Sequence, residues 1–311
     1  MFIKAVWVVL MYNCPAMSLS SHGGGSSKIR QEPGKHAVWV YSFGRTGSST
    51  MMDFILAANP SGTTSFGLFE PCHGFDRVHF ANCSEEMASI MNCDFDRVEH
   101  FQMWNNFLHG KEAYSPEVAR RQCEPATTRV FKTISTHDIE NDLDIVFAHV
   151  PNLRVVNIVR DPRATYFSAS AATGMVAGTL NDVTGVNQGY GQLRGTSRSE
   201  WSPLGPKYIS YLCTSLVKMS KFQHDGVISV RFEDLILKSS SEVPRILDFL
   251  QMDWDSRVQE LAAQTYPAVL DGAEGIREIN HLDTNWTEED RAVFKSAECQ
   301  EALQAWNYPL D

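Results

Sequence analysis

Apolar residues arrive along this chain in short blocks separated by turn signals, and the blocks alternate between two periodicities. Val38-Trp39-Val40-Tyr41 is a continuous apolar run, which predicts a strand buried on both faces. Met51, Phe54, Ile55 and Leu56 follow at helical spacing, so Gly44–Thr50 joins a strand to the start of a helix. Phe66–Phe69, Arg129–Lys132, Leu153–Val159 and Val227–Phe232 predict further short strands. Tyr208, Tyr211, Leu212, Ser215, Leu216 and Met219 predict a helix packed on the sheet, and Glu242–Leu250 a short helix with Pro244 near its start. Residues 74–128 read as helical and irregular, with Phe95, Phe101, Trp104 and Phe107 as core.

Local capping signals sharpen three boundaries. Ser115 caps a helix with Pro116 at its first position, Pro162 opens one after the Leu153–Val159 strand, and Thr287 caps the last, with Glu288, Glu289 and Asp290 in its first turn. Gly174–Trp201 carries glycines and little apolar periodicity, which reads as an acceptor-facing lid or a flexible insertion. At 311 residues this alternation suits one large α/β domain or two small ones.

The N-terminal end stands apart from that pattern. Lys4 followed by the apolar stretch Ala5–Tyr12 and small residues beyond predicts a secretory signal peptide or a short type II membrane anchor over residues 1–20. Residues 21–36, rich in Ser and Gly, predict a stem, leaving 37–311 for the folded domain. Without Cys14 the cysteines number six: Cys72, Cys83, Cys93, Cys123, Cys213 and Cys299. In an oxidising lumen they allow up to three bridges, and no CxxC pair points to zinc. Asn82-Cys83-Ser84 and Asn285-Trp286-Thr287 are glycosylation sequons that agree with a Golgi or secretory location.

A net charge of −10 with no compensating basic run argues against nucleic-acid binding, so an anionic ligand has to be held by local cations. The Gly44–Thr50 turn supplies one such device. Gly44 and Gly47 let the backbone bend closely around an anion, first-turn N–H groups point at it, and Thr46, Ser48, Ser49 and Thr50 add hydroxyls beside Arg45. This is not a Walker A loop, since no Lys precedes the hydroxyl that would carry magnesium, and that disfavours a triphosphate site. The second device follows the Leu153–Val159 strand: Arg160 at its end and Ser168 eight residues later, just over two helical turns on. Two anion-holding turns on two strand ends suit a nucleotide with phosphates at both ends. Glu70 ends the Phe66–Phe69 run as a candidate general base, with His73 the alternative, and Lys132 ends its strand as a cation for a transferred group. Arg277 is a candidate cofactor contact from a loop, and Glu233 and Asp234 are candidates to cap a turn or pair with arginines.

RTGSS at Arg45–Ser49, FEP at Phe69–Pro71, Lys132, VRDPRATYFS at Val159–Ser168, RFEDL at Arg231–Leu235 and the closing Cys299 to Tyr308 stretch resemble the Golgi carbohydrate sulfotransferases. The branch most similar sulfates the 6-hydroxyl of N-acetylglucosamine, galactose or N-acetylgalactosamine. The resemblance implies a single P-loop-type α/β domain with a mostly parallel sheet flanked by helices. It implies a glycan acceptor and 3′-phosphoadenosine 5′-phosphosulfate (PAPS) as donor, without a metal. On that footing Arg45, Thr46, Gly47, Ser48, Ser49, Thr50 and Met51 would hold the 5′-phosphosulfate, Arg160 and Ser168 the 3′-phosphate, Lys132 would lie near the bridging oxygen, and Glu70 would take the acceptor proton. Ile134 stands where cytosolic relatives carry their base, and Asn285-Trp286-Thr287 replaces the usual Trp-Arg before the last helix. The other classes considered are a tyrosylprotein sulfotransferase, a P-loop nucleotide kinase and a non-catalytic glycan-binding relative.

Overall fold

The computed structural model describes residues 36–43, 46–59, 64–69, 83–98, 115–133, 139–168, 206–265 and 286–310. The predicted leader (1–20), nearly all of the stem (21–36), Gly44, Arg45, Glu70, His73, Cys72, the 174–201 segment and Arg277 lie outside the described residues.

Five parallel strands form one sheet: β1 (His36–Ser42), β2 (Ser65–Phe69), β3 (Thr128–Thr133), β4 (Leu153–Val159) and β5 (Val227–Arg231), in the order β2-β3-β1-β4-β5. The central strand is the one with the unbroken apolar run. Val38 and Val40 enter the core on one face, Trp39 and Tyr41 the core on the other, so a polar residue anywhere in the run would be buried on one side. Helix α1 (Ser48–Ala57) packs Met51, Met52, Phe54 and Ile55 against the Val38 and Val40 face. Helices α2 (Cys83–Met91), α3 (Pro116–Cys123) and α4 (Ile139–His149) follow, with the first and last supplying Met87, Ile90, Leu143 and Val146 to the Trp39 and Tyr41 face.

After β4 a helix over 162–168, α5, starts at Pro162 as expected. Helix α6 (Pro206–Lys221) then lays Tyr208, Ile209, Leu212, Leu216 and Met219 on the Trp39 and Tyr41 face. The helices after neighbouring strands β1 and β4 therefore cover opposite faces, which makes the gap between their C-terminal ends the topological switch point of the sheet. Beyond β5 come α7 (Phe232–Leu237), α8 (Ser239–Phe249), α9 (Ser256–Thr265), α10 (Glu288–Phe294) and α11 (Ala297–Ala305).

Two boundaries differ from the sequence expectation. Phe232 begins α7 instead of ending β5, and α8 starts at Ser239, which places Pro244 inside the helix. The earlier start is held by the Lys238 carbonyl, which accepts the backbone N–H groups of Ser241 and Glu242 and the Ser241 hydroxyl. Ser115 Oγ accepts the Val118 N–H at 3.3 Å and Thr287 Oγ1 accepts the Asp290 N–H at 3.1 Å, as expected, but the helix that Thr287 caps is not the last: Ser296 Oγ accepts the Cys299 N–H at 3.3 Å and starts α11. Disulfides join Cys93 to Cys123 and Cys213 to Cys299. Among the described residues no helix is long and apolar enough to cross a membrane, and no cluster of His, Cys, Asp and Glu is placed to hold a metal ion.

Candidate active site

The C-terminal ends of β3, β1 and β4 lie side by side; Lys132 is the second-last residue of β3, while the glycine turn and Arg160 follow β1 and β4. Register fixes this: Val40 pairs with Lys132 on one side and Val156 on the other, while Ser42 pairs with Ile158. The sequence expectation that the two anion-holding turns share a rim is met in a specific way, through Phe232. Gly47, at φ +80°, lies so close to this ring that a Cβ there would overlap its Cε2 and Cδ2 edge. The Arg160 guanidinium stacks over the same ring, 4.6 Å from its centroid. One aromatic side chain from the start of α7 thus separates, and spaces, the two turns.

Around Gly47 the loop is set by local bonds. Thr46 is buried with its Oγ1 donating to the Phe43 carbonyl at 2.8 Å, so this hydroxyl fastens the turn to β1. Ser48 is buried at the first position of α1, Ser49 and Thr50 are half-buried, and Met51 belongs to the core. The N–H of Met51 already bonds the Gly47 carbonyl, so the donors facing outward are those of the earlier first-turn residues.

Lys132 is only 2% exposed. Strand alternation puts it on the same face as Val130, toward α1, and its charge acts on Asp53 in the second turn of that helix. The Asp53 carboxyl is raised above the usual carboxylate range; desolvation pushes it up, and Lys132 partly offsets this. Asp53 as a whole residue is exposed. Lys132 also pairs with Phe69, the last residue of β2, so Glu70 is the next residue along from the lysine's register partner.

Arg160 is 8% exposed and sits at the head of a buried polar turn. The Asp161 carboxylate accepts three bonds from Arg163: the backbone N–H at 2.9 Å, Nε at 3.0 Å and Nη2 at 2.8 Å. The Asp161 N–H donates to Glu233 Oε1 at 3.0 Å. Ser168, half-buried, ends the described part of α5. Sequence reasoning named Arg160 and Ser168 but passed over Phe232, Asp161 and Arg163. The available signal was an acid and an arginine two residues apart at a predicted strand end, flanking a helix-starting proline.

Glu233 is fully buried, and its pKa is raised above the ordinary 4.5, chiefly by burial and also by the Asp161 carboxylate, with the Asp161 N–H and Arg160 opposing. A raised carboxyl holds its proton in the folded state at pH values where the unfolded chain has lost it. Its contribution to stability is therefore greatest below pH 4.5 and is lost as the pH rises through the folded value. The melting temperature of the native chain is expected to fall relative to that of Glu233→Gln as the pH rises from 4.5 through the folded value. A difference between the two that does not vary with pH would refute the assignment.

The chain matches the sulfotransferase family over residues 38–256, and it belongs to that family. The match begins in β1 and spans the glycine turn, Lys132, Arg160 and Phe232. Among solved structures, the sulfotransferase domain from the curacin biosynthetic pathway is 13% identical, covers 91% of this chain and 100% of its own, and superposes with a TM-score of 0.44. The sulfotransferase domain from the Synechococcus PCC 7002 olefin synthase is 16% identical, with 92% and 100% covered and a TM-score of 0.43. Retinol dehydratase, in complex with androsterone and the inactive cofactor PAP, is 16% identical, with 87% and 79% covered and a TM-score of 0.36. At these scores the family assignment rests on the sequence match. A search of curated protein sequences finds no match.

Proposed function

We propose that this chain transfers a sulfuryl group from PAPS to a carbohydrate hydroxyl, a 6-hydroxyl of a glycan, within the Golgi or secretory pathway. The observation that carries the reading is the pair of turns at the switch point, Gly47 and Arg160, spaced by one ring so that a ligand with two separated anionic groups can touch both. The residues suit such a ligand: a left-handed glycine before a helix N-terminus on one side and a buried arginine on the other. PAPS would supply the sulfuryl group. The N–H groups and hydroxyls of Thr46–Met51, with Arg45, would hold its 5′ end, while Arg160 and Ser168 would hold its 3′-phosphate and Arg277 would add a contact. Lys132 would offset charge developing at the bridging oxygen, and Glu70 would accept the proton of the sugar hydroxyl.

The secretory placement is supported by the Cys93–Cys123 and Cys213–Cys299 disulfides, since such bonds persist in oxidising compartments. The carbohydrate acceptor rests on the motif resemblance across Arg45–Leu235.

Incubation with labelled PAPS and a panel of glycans, tyrosine-bearing acidic peptides and nucleoside monophosphates is expected to give sulfated glycan. Label in the peptides alone would make the enzyme a tyrosylprotein sulfotransferase, and magnesium-dependent ATP turnover without sulfate transfer would make it a kinase. A charge-assisted contact is worth about 1.5–3 kcal/mol, so Arg160→Ala is expected to weaken binding of the bisphosphate product about 10- to 100-fold. Unchanged affinity in a calorimetric titration would remove Arg160 from the site.

A further inference from the structure

The partners of the Arg160 turn do not end at Glu233 and Arg163. Both of those residues are themselves held by consecutive residues of the C-terminal tail. Tyr308 donates its hydroxyl to Glu233 Oε2 at 3.0 Å, and Arg163 Nη2 donates to the Pro309 carbonyl at 2.8 Å. Tyr308 is also stacked under the Arg231 guanidinium, 4.6 Å from the ring centroid. Every side chain in this set is buried: Asp161, Arg163, Glu233 and Tyr308.

The tail has its own anchor. Cys299 of α11 is bonded to Cys213 of α6, Glu298 accepts the Ser210 and Thr214 hydroxyls at 3.1 and 2.6 Å, and Trp306 Nε1 donates to the Leu216 carbonyl at 2.9 Å. The tail therefore leaves a fixed helix and grips the turn at two points, one on each partner of Asp161. Both close on the residue next to Arg160, while Phe232, on which Arg160 lies, immediately precedes Glu233.

We propose that Tyr308 and Pro309 form a positioning strap: by fastening Glu233 and Arg163, they hold the Asp161 turn so that Arg160 is aimed at a second, remote phosphate of the nucleotide. The inference rests on the cofactor reading above and goes beyond it by assigning the chain's last residues to the selection of that phosphate. Burial holds the Tyr308 hydroxyl protonated far above its ordinary range, so it remains a donor to Glu233. The Arg163–Asp161 bonds are charge-assisted and buried, and such bonds resist displacement, which is what aiming a long arginine requires.

The test compares adenosine 3′,5′-bisphosphate with adenosine 5′-monophosphate in calorimetric titrations of the full chain. The native chain is expected to prefer the bisphosphate. In Tyr308→Phe that preference is expected to fall roughly threefold to tenfold with monophosphate binding unchanged. Leu310→Ala, which trims an exposed side chain of the same tail and touches neither the anchor nor the turn's bonds, is expected to keep the full preference. Arg163→Lys keeps the charge but not the fork; it is expected to lower the same ratio and serves if Tyr308→Phe does not fold. A native preference that survives both Tyr308→Phe and Arg163→Lys overturns the strap alone. A native chain with no preference overturns the cofactor reading, and the strap with it. Equal loss for both nucleotides in Tyr308→Phe also overturns the strap, because general loosening would not single out one phosphate.

Discussion

Lys132→Met is expected to lower sulfuryl-transfer turnover about 10²- to 10³-fold, the effect of removing one preorganised charge from a site where charge develops in the transition state. Methionine fills a space similar to the lysine stem and is flexible enough to repack, so the 2% exposed position should keep its packing. What is lost is a cation one residue from the end of β3, in register with Val40 of β1 and with the last residue of β2. Nucleotide affinity is expected to change less than turnover, because a contact that strengthens only as charge builds lowers the rate more than binding. Single-turnover transfer at saturating donor, set beside a calorimetric titration with the bisphosphate, separates the two. Equal losses would make Lys132 an ordinary binding cation, and no loss would place it outside the site. A second readout follows from its neighbour. Lys132 lowers the Asp53 pKa, so the variant should move that carboxyl further up, a shift that carbon-detected NMR would resolve.

What could be read from the sequence was whatever is decided within a few residues. The β1 run is apolar on both faces because both faces are covered, so the strand was visible without a partner. Ser115, Pro162 and Thr287 act on their own helix starts, and they stand where the sequence placed them. The site was legible only as separate halves. Arg160 and the glycine turn each carried a local signal, but the ring that spaces them comes from Phe232, some 70 residues further along, at the start of the helix after the strand that pairs with β4. Nothing about a phenylalanine in RFEDL marks it as a spacer. Nor does the acid two residues before Arg163 reveal that its backbone N–H belongs to Glu233. The six cysteines admitted fifteen full pairings, and only the fold brings Cys93 to Cys123 and Cys213 to Cys299. The start of α8 was missed for a related reason: a run of serines has low helix propensity, and the carbonyl that organises it belongs to Lys238.

Gly47→Ala is expected to cost both turns at once. At φ +80° an alanine carries about 1–2 kcal/mol of strain that glycine does not, and its Cβ would overlap the Phe232 ring. Two routes relieve the clash. The loop can swing back toward negative φ, which turns the first N–H groups of α1 away from where an anion would sit. Alternatively Phe232 can move, and Arg160 then loses the ring on which it lies 4.6 Å away. Either route disturbs one anion contact directly and the spacing of the other, so bisphosphate affinity is expected to fall about 100-fold or more, beyond the loss from Arg160→Ala alone. The melting temperature should drop by only a few degrees, since the strain is local to the loop. Gly47→Asn separates the causes, because asparagine tolerates the left-handed region but still brings a Cβ. If it binds as poorly as Gly47→Ala, the clash with Phe232 governs; if it binds nearly as well as the native chain, backbone strain does. Native affinity in both variants would mean that the glycine turn holds no ligand, and the pairing of the two turns through one ring would carry no function.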